Sequence, residues 1–237
     1  LYNLEILLNN IRLKGLNYPY IYKNIDKKKF KLKNKLKIGF IETDLCFNVK
    51  DYIKNSSENF FSKISNNKNF FFKRIIWPND LKGIKKVHSK IYHKSLSYYF
   101  QHVYKKKHTS NIINEIIENG RKIASHEYIE SLNVQKYIIK KINKLLESYD
   151  IVFSYSTASS AINRNEKELS DPSLIWTTAH IPSINIPLDI CPNKMPFGIQ
   201  AIGKKWSDFN LIKSLEKIEK EGLISSTNLK LNLKMFL

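Results

Sequence analysis

The order of apolar and polar positions predicts a strand, a helix and a second strand in the first third of the chain. Residues 36–42 (LKIGFIE) form a short apolar run that ends in a turn, which is typical of a buried strand. An amphipathic helix is predicted over 49–65, and the aromatic and β-branched run at 69–77 predicts a second strand that Pro78 ends. This order within about forty residues indicates a parallel crossover unit over 36–77.

The middle and the end of the chain differ in composition. Residues 81–149 contain no proline and have apolar residues at helical spacing, which predicts three helices with breaks near Gly120 and around residue 108. From Asp150 onwards proline becomes frequent, and short extended pieces alternate with turns. Three strands and a closing helix are predicted there, over 151–156, 183–187, 197–203 and 208–221. The fold class is therefore α/β, a mixed β-sheet flanked by helices with a helical block in the middle.

The start of the chain also carries information. It begins with Leu1 instead of Met, and the opening stretch is typical of a helix with Leu4, Leu7, Leu8 and Ile11 on one face. We therefore expect either a preceding segment or a processed start. No secretory signal occurs, and no window approaches the roughly 20 apolar residues that span a bilayer, so we expect no membrane association. Two cysteines far apart in sequence fit a reducing, cytoplasmic compartment.

The charge of +19 introduces a nucleic-acid hypothesis, because clustered cations neutralise phosphates. Only four of the 40 basic residues are Arg, although Arg is the better bidentate ligand for phosphate and bases. The lysines are spread along the chain with abundant Asn and Ile, as a coding bias towards A and T would produce. The densest run, at 27–37, also fits a solvated linker. The sequence favours the coding bias over a nucleic-acid partner.

A search for chemical motifs finds no complete active site. The chain has no G-x-S-x-G nucleophile elbow, no phosphate-binding glycine loop and no H-E-x-x-H. His88 and His93 are five residues apart, and His102 and His108 are six apart, which is not a metal-ligand spacing. We therefore expect neither a metal nor a cofactor.

The last third of the chain carries an ordered set of residues that resembles the closing region of the amidase-signature family. The stretches are DIVFSYSTASSA, DPSLIWTTAHIPSINIP and MPFGIQAIGKKWSDFNLIKSLEKIE. Upstream, LKIGF and NGRKIASHEYIESL are similar to family segments but less specific. One departure is that Tyr155 and Ala158 stand where the family commonly has proline, which predicts a less rigid loop. The matching residues are Asp150, Asp171, Pro172, Trp176, Thr177, Pro182, Pro187, Pro196, Gly198, Gln200, Gly203, Asp208 and Glu216.

The resemblance implies hydrolysis of carboxylic amides by a serine nucleophile, which a second serine and a buried lysine activate. In the family these residues lie in and before a Gly-Gly-Ser-rich segment that precedes the region matched here. This sequence has no adjacent glycines, and its pairs Ser56-Ser57, Ser159-Ser160 and Ser225-Ser226 lack the required surroundings. We therefore expect residues 1–237 to be the carboxyl-terminal part of a single amidase domain, inactive alone, with no catalytic residue in this chain. Its parts would be 36–77, the helical block 81–149, and the strands with the closing helix over 150–221.

The resemblance also implies where substrate contacts lie. The candidates are the loop after the strand at 151 and the Trp-Thr-x-x-His segment. His180 stands where many members have glycine, and it either contacts substrate or is a hydrogen-bonded histidine buried beside Trp176. Trp176 is also a candidate for the core. The predicted substrate-binding residues are Tyr155, Ser156, Thr157, Trp176, Thr177, His180 and Ile181.

Three functional hypotheses remain open from the sequence. The first is a part of an amidase that acts on a small-molecule amide and packs against the missing amino-terminal catalytic part. The second is the A-type subunit of a tRNA-dependent amidotransferase, a relative in the same family, which the Lys-rich charge supports slightly. The third is a non-catalytic basic module that binds nucleic acid. Apolar sheet surface left uncovered would also permit a homodimer.

Overall fold

The computed structural model describes residues 1–13, 33–163, 166 and 169–224. The lysine run at 27–37 lies largely outside the described residues, as do Ser225 and Ser226. Short 3₁₀ turns occur at Asn79–Leu81 and Gln101–Val103. In the described ranges seven helices form: α1 Tyr2–Ile11, α2 Asp51–Ser65, α3 Ile84–Tyr99, α4 Asn111–Lys122, α5 Ser125–Leu146, α6 Leu174–Thr178 and α7 Asp208–Lys220.

Five strands of the described chain form one mixed sheet in the order β2-β1-β3-β5-β4. β1 lies parallel to both β2 and β3, whereas β5 runs antiparallel to β3 and to β4. The α/β prediction of a mixed sheet with flanking helices is confirmed, since the three strands after residue 150 share this sheet. The strands are β1 Leu36–Ile41, β2 Phe70–Ile75, β3 Ile151–Tyr155, β4 Ser183–Ile190 and β5 Pro196–Ile202.

Asp150 fixes the start of β3 beside the start of β1. Its Oδ2 accepts a hydrogen bond from the Lys37 N–H at 2.9 Å, and its own N–H donates to the Lys37 carbonyl at 2.8 Å. The Lys33 ammonium forms an ion pair with the same carboxylate. Asp150 therefore sets the register of the central parallel pair, in which Ile38 lies opposite Ile151.

Alternation along the strands divides the core into two clusters on opposite faces of the sheet. On one face, Phe40, Phe61 and Phe153 are buried and their rings are in contact, with Phe40 and Phe61 centroids 4.4 Å apart. On the other face, Trp77 and Trp176 meet edge to face at 6.3 Å within a cluster to which α3 and α5 also contribute. Helix α2 covers the first face and the helical block covers the second.

β4 forms one margin of the sheet, as the prolines of this region predict. Pro187 lacks an N–H donor and is tolerated because β4 has a neighbour on one side only. Gly198 lies inside β5, and it allows β4 to approach closely. A Cβ at this position would lie 2.4 Å from the Ile186 carbonyl oxygen.

The helical block consists of α3, α4 and α5, and both α4 and α5 pack against α3. α4 begins with an N-cap, since the Ser110 hydroxyl accepts a hydrogen bond from the Ile113 N–H. α4 approaches α3 closely at Gly120, where a Cβ would lie 2.1 Å from the His93 carbonyl oxygen. None of the helices in the described ranges combines the length and the apolar character that crossing a bilayer requires.

We expect Gly198→Ala to destabilise the fold by about 1–3 kcal/mol, because the new methyl group meets the rigid backbone of β4. Gly39→Ala is a matched control in β1, where a Cβ would lie 2.5 Å from the Ile75 Cδ1, the end of a side chain that can rotate away. Urea unfolding of the two variants measures the difference. A loss at Gly39 as large as that at Gly198 would contradict the explanation.

Gln200 joins β5 to the end of β3 through its side chain. It is 4% exposed, and its Nε2 donates to the Tyr155 carbonyl oxygen at 2.8 Å. We expect Gln200→Leu to cost about 1–3 kcal/mol, because the buried carbonyl loses its donor. In the control variant Gln135→Leu, the lost bond is the one from Gln135 Nε2 to the Thr178 carbonyl oxygen, which is 3.0 Å long and only partly buried. Equal losses of unfolding free energy in the two variants would refute this account.

Candidate functional site

A cleft of about 470 Å³ opens where β3 ends and β5 begins. Its position is the carboxyl edge of the parallel strands, the edge at which α/β sheets commonly bind ligands. Its volume falls within the usual range for small-molecule sites. The lining residues are Ser156–Ile162, Leu169, Ser170, Asp171, Ser173, Asn185, Pro196, Phe197, Gly198 and Gln200.

The loop after β3 forms one wall of the cleft and is held by hydrogen bonds in place of the family's prolines. The Ser156 hydroxyl donates to the Gly198 carbonyl oxygen at 2.7 Å, which ties the loop to β5. The Thr157 hydroxyl donates to the Ser159 carbonyl oxygen at 2.6 Å and closes a tight turn. The Ser160 N–H donates to the Tyr52 hydroxyl at 2.7 Å. These hydrogen bonds hold the loop to β5, to its own backbone and to α2.

The opposite wall is the segment that leads into α6. Asp171 Oδ1 accepts a hydrogen bond from the Ser173 N–H at 2.9 Å, which fixes the turn before the helix. The Ser170 hydroxyl bonds the Asn48 side chain, so this segment is also attached to the turn after β1. Asn185, on β4, adds an exposed amide to the floor. The cleft therefore presents both donors and acceptors, with one carboxylate, Asp171, in its lining.

Tyr155 lies under the cleft and does not line it. Its ring is 1% exposed within the first core cluster, and its hydroxyl donates to Glu42 Oε1 at 3.2 Å. Burial, with the neighbouring Glu42 carboxylate, raises the pKa of Tyr155 well above its ordinary value. The residue is therefore a neutral donor that fixes the end of β3.

The second group of predicted site residues lies on the other face of the sheet. Trp176 is 1% exposed and Ile181 is 8% exposed, and both belong to the cluster around Trp77. Thr177 and His180 are exposed at the surface of that layer. The fold thus brings Ser156 and Thr157 to the cleft and separates them from residues 176–181. The role of all seven residues in substrate contact stays a prediction.

His180 lies at the surface, so the alternative of a histidine buried beside Trp176 is wrong. Its backbone has a positive φ of 54°, a conformation that glycine adopts more readily, which explains why glycine suits the position. Its Nε2 lies 3.2 Å from Gln135 Nε2, while partial desolvation and the nearby Lys205 charge lower the pKa of His180. The imidazole is therefore neutral at pH 7.

The described hydroxyl and thiol groups show no activated nucleophile in the cleft. The Ser159 hydroxyl donates to the Ser160 carbonyl oxygen, and the Ser160 hydroxyl donates to the Asn193 side chain. Neither partner is a base. Ser89 and His93 form a 3.0 Å contact, but both lie on one turn of α3, away from the cleft lining. Burial raises the pKa of Cys46, so its thiolate is suppressed. The Ser173 hydroxyl, in the cleft lining, donates to the Asp171 carboxylate, and none of the described cleft hydroxyls has a histidine or lysine as its hydrogen-bond partner.

Sequence reasoning missed the wall opposite the loop. Asp171 matches the family pattern, but the pattern alone does not assign it to the site. Asn185 belongs to no motif, and the alternation of side chains along β4 decides which way it points. Neither Ser170 nor Asn48 has a local pattern that predicts their contact across 122 residues. Across the described ranges, no three His, Cys, Asp or Glu side chains converge as metal ligands would.

Sequence comparison relates the chain to one family. A model of the family described as Amidase matches residues 12–212. The A-type subunit of the Treponema denticola glutamyl-tRNA(Gln) amidotransferase is 33% identical over 104 residues, which are 40% of this chain and 21% of that protein. Its counterpart in Orientia tsutsugamushi (strain Boryong) is 31% identical over 101 residues, or 39% of this chain and 20% of that protein. The matched stretch is about a fifth of the length of these curated relatives.

Solved structures show the same fold. A crystal structure of an amidase superposes with a TM-score of 0.69 at 12% identity, over 80% of this chain and 46% of that one. A bacterial aryl acylamidase of the amidase signature family gives 0.60 at 13% identity, over 76% and 42%. The A-type subunit of the Thermotoga maritima glutamyl-tRNA(Gln) amidotransferase gives 0.57 at 17% identity, over 78% and 42%. With the family model covering most of its length, this chain belongs to the amidase family.

Proposed function

We propose that this chain builds one side of the substrate cleft of an enzyme that hydrolyses carboxylic amides. The observation that carries the proposal is the cleft itself, which lies between the loop after β3 and the Asp171 segment within the part of the chain that the family model matches. The names of the related structures, an amidase and an aryl acylamidase, support the amide class of substrate.

The cleft offers groups that complement an amide. A carboxylic amide has one carbonyl acceptor and N–H donors, so it needs both partners in a partly dry site. Asp171 supplies acceptor oxygens, and Asn185 supplies an amide that both donates and accepts. The Ser156 hydroxyl is already committed to Gly198, so it shapes the wall and does not attack. Binding and orientation are the roles we assign to these side chains.

The chemical step is assigned to residues outside this chain. The family resemblance implies a Ser-Ser-Lys mechanism in a Gly-Gly-Ser-rich segment, and this sequence has no adjacent glycines. A serine hydroxyl needs a neighbouring base to attack at neutral pH. The cleft serines have no histidine or lysine beside them, which supports a division of labour between this chain and a catalytic partner segment.

A second candidate is the A-type subunit of a tRNA-dependent amidotransferase, which would release ammonia from glutamine for a second protein. The names of the Treponema and Orientia relatives favour it, at 33% and 31% identity over about 40% of this chain. Both candidates use amide cleavage, and they differ in the substrate. Glutamine carries charged groups next to its side chain, whereas simple amidase substrates carry apolar groups.

The purified chain is expected to release no ammonia from glutamine, benzamide or propionamide, because its cleft serines have no histidine or lysine beside them as an activating base. Release is followed with a coupled ammonia assay at neutral pH. Turnover that disappears on substitution of a serine within the chain would overturn the division of labour. Turnover that survives every such substitution would indicate a contaminating enzyme, and repurification would remove it.

Amide binding to the cleft is tested by NMR titration of the ¹⁵N-labelled chain with benzamide and with glutamine. We expect the largest shift changes in residues 156–160, Asp171 and Gly198, since these line the cleft. Asp171→Asn keeps an acceptor for the turn to Ser173 but removes the charge, and is expected to weaken binding about fivefold. Preference for glutamine would favour the amidotransferase candidate.

The matched control is Ser56→Ala in a separate cavity of about 230 Å³, where the Ser56 hydroxyl donates to Asp189 Oδ2 at 2.7 Å. This variant should bind the amides as the unsubstituted chain does. Shift changes confined to that second cavity, or equal weakening by the two variants, would refute the assignment of the cleft.

A further inference from the structure

The end of α3 that lies away from the sheet presents exposed aromatic rings. Ile84, at the start of α3, is buried in the second core cluster, and the helix extends about 22 Å from there to Tyr99. Tyr98 and Tyr99 are 69% and 68% exposed, and their ring centroids are 5.5 Å apart at an interplanar angle of 77°. Two large rings at this exposure contribute little to the core, so their faces are open to a ligand.

A cavity of about 520 Å³ opens beside these rings, between the end of α3 and the adjacent parts of α4 and α5. Its volume is in the range that small-molecule or nucleotide groups occupy. No carboxylate is among its lining side chains. These are Lys94, Ser95, Ser97, Tyr98, Tyr99, Gln101, Arg121 and Tyr128, so two cations, several hydroxyls and one amide surround the opening.

The two cations of the cavity are held in place without being neutralised. Arg121 is exposed, and its guanidinium lies 4.2 Å from the centroid of the Tyr104 ring in a cation–π contact. The Lys94 ammonium donates to the Ile123 carbonyl oxygen at 2.5 Å. Among the described ion pairs, none involves either cation. The nearby Glu118 accepts a hydrogen bond from the Tyr104 hydroxyl at 2.7 Å.

Positive charge is concentrated in this part of the chain. Residues 82–122 contain nine Lys, one Arg and two Glu, a net charge of +8 out of +19 for the whole protein. Lys105, Lys106 and Lys107 are exposed in the turn that follows the rings. A coding bias explains how many lysines the chain has, but it does not place them next to exposed tyrosines.

We infer that this cavity and the surface around it bind single-stranded nucleic acid. A base stacks on Tyr98 or Tyr99, because every base offers a π-face to an exposed ring. The neighbouring phosphates contact Arg121, Lys94 and the lysines of the following turn, as cationic grooves track a nucleic-acid backbone. An acidic peptide would use the cations but has no counterpart for the two rings and the cavity between them. The inference is independent of the amide cleft.

The test is fluorescence anisotropy of labelled 12-nucleotide oligouridine and oligothymidine with the full chain, at several salt concentrations. Replacing both rings, Tyr98→Ala with Tyr99→Ala, is expected to weaken binding about tenfold or more at fixed salt, since stacking contributes about 1–3 kcal/mol per base. Arg121→Gln is expected to reduce the slope of log K against log salt by about 0.7, the effect of one lost phosphate contact.

Two controls distinguish a site from general attraction to a basic protein. Phe71→Ala removes a ring that is 53% exposed on β2, and Lys63→Gln removes an exposed cation from α2. Both should bind the oligonucleotides as the unsubstituted chain does, and circular dichroism confirms that all variants are folded. The proposal is overturned by absence of binding, by equal losses in the controls, or by an unchanged affinity of the tyrosine variant. Equally tight binding of polyglutamate that depends on the tyrosines would assign the surface to an acidic protein segment instead and would also overturn it.

Discussion

β5 runs antiparallel between β3 and β4, and this reversal determines where the cleft can form. In a sheet of parallel strands each loop at the carboxyl edge leads away into a helix. Here the edge also receives the start of β5, so the loop that leaves β3 meets the strand that enters beside it. Ser156 and Gln200 join the two strands across this point through the Gly198 and Tyr155 carbonyl oxygens, at 2.7 and 2.8 Å. Since Gly198 has no side chain, β4 approaches β5 closely at this point, and the Ile186 carbonyl oxygen and the Asn185 side chain lie where a Cβ would be.

The strict alternation of side chains along β3 and β5 then assigns every neighbouring residue to one face. Tyr155 and Phe153 point to the layer of α2, and Val152 points to the layer of the helical block. The segment over 174–181 crosses to the second layer, where Trp176 packs on Trp77. Residues that are close in sequence are therefore divided by the sheet. The loop and Asp171 line the cleft, while Trp176 supports the layer on the other face of the sheet.

Much of this fold could be predicted from the sequence because its signals are local. The apolar run at 36–42 and the proline-free helical block are recognised from the spacing of their apolar residues. The prolines around β4 lack an N–H, which indicates a strand at the margin of the sheet. The cleft could be predicted only in part. Ser156 and Thr157 are identifiable from their place after a strand, whereas the contact between Asn48 and Ser170 depends on how two distant turns meet. His180 shows a further limit, because a positive φ is not visible in residue type.

The distribution of charge has the same limit. The composition gives the number of lysines, but only the fold determines where they lie. Spread along 237 residues, a net charge of +19 is explained by coding bias. In the folded chain, exposed lysines lie in the α3–α4 connection that follows Tyr98 and Tyr99, and the Arg121 guanidinium lies over the ring of Tyr104. The close approach of α4 to α3 at Gly120 brings these groups together, since a Cβ there would force the helices apart. The aromatic and basic surface thus depends on helix packing, and the cleft depends on strand order. Either one can change without the other, because helix packing and strand order are set by different residues.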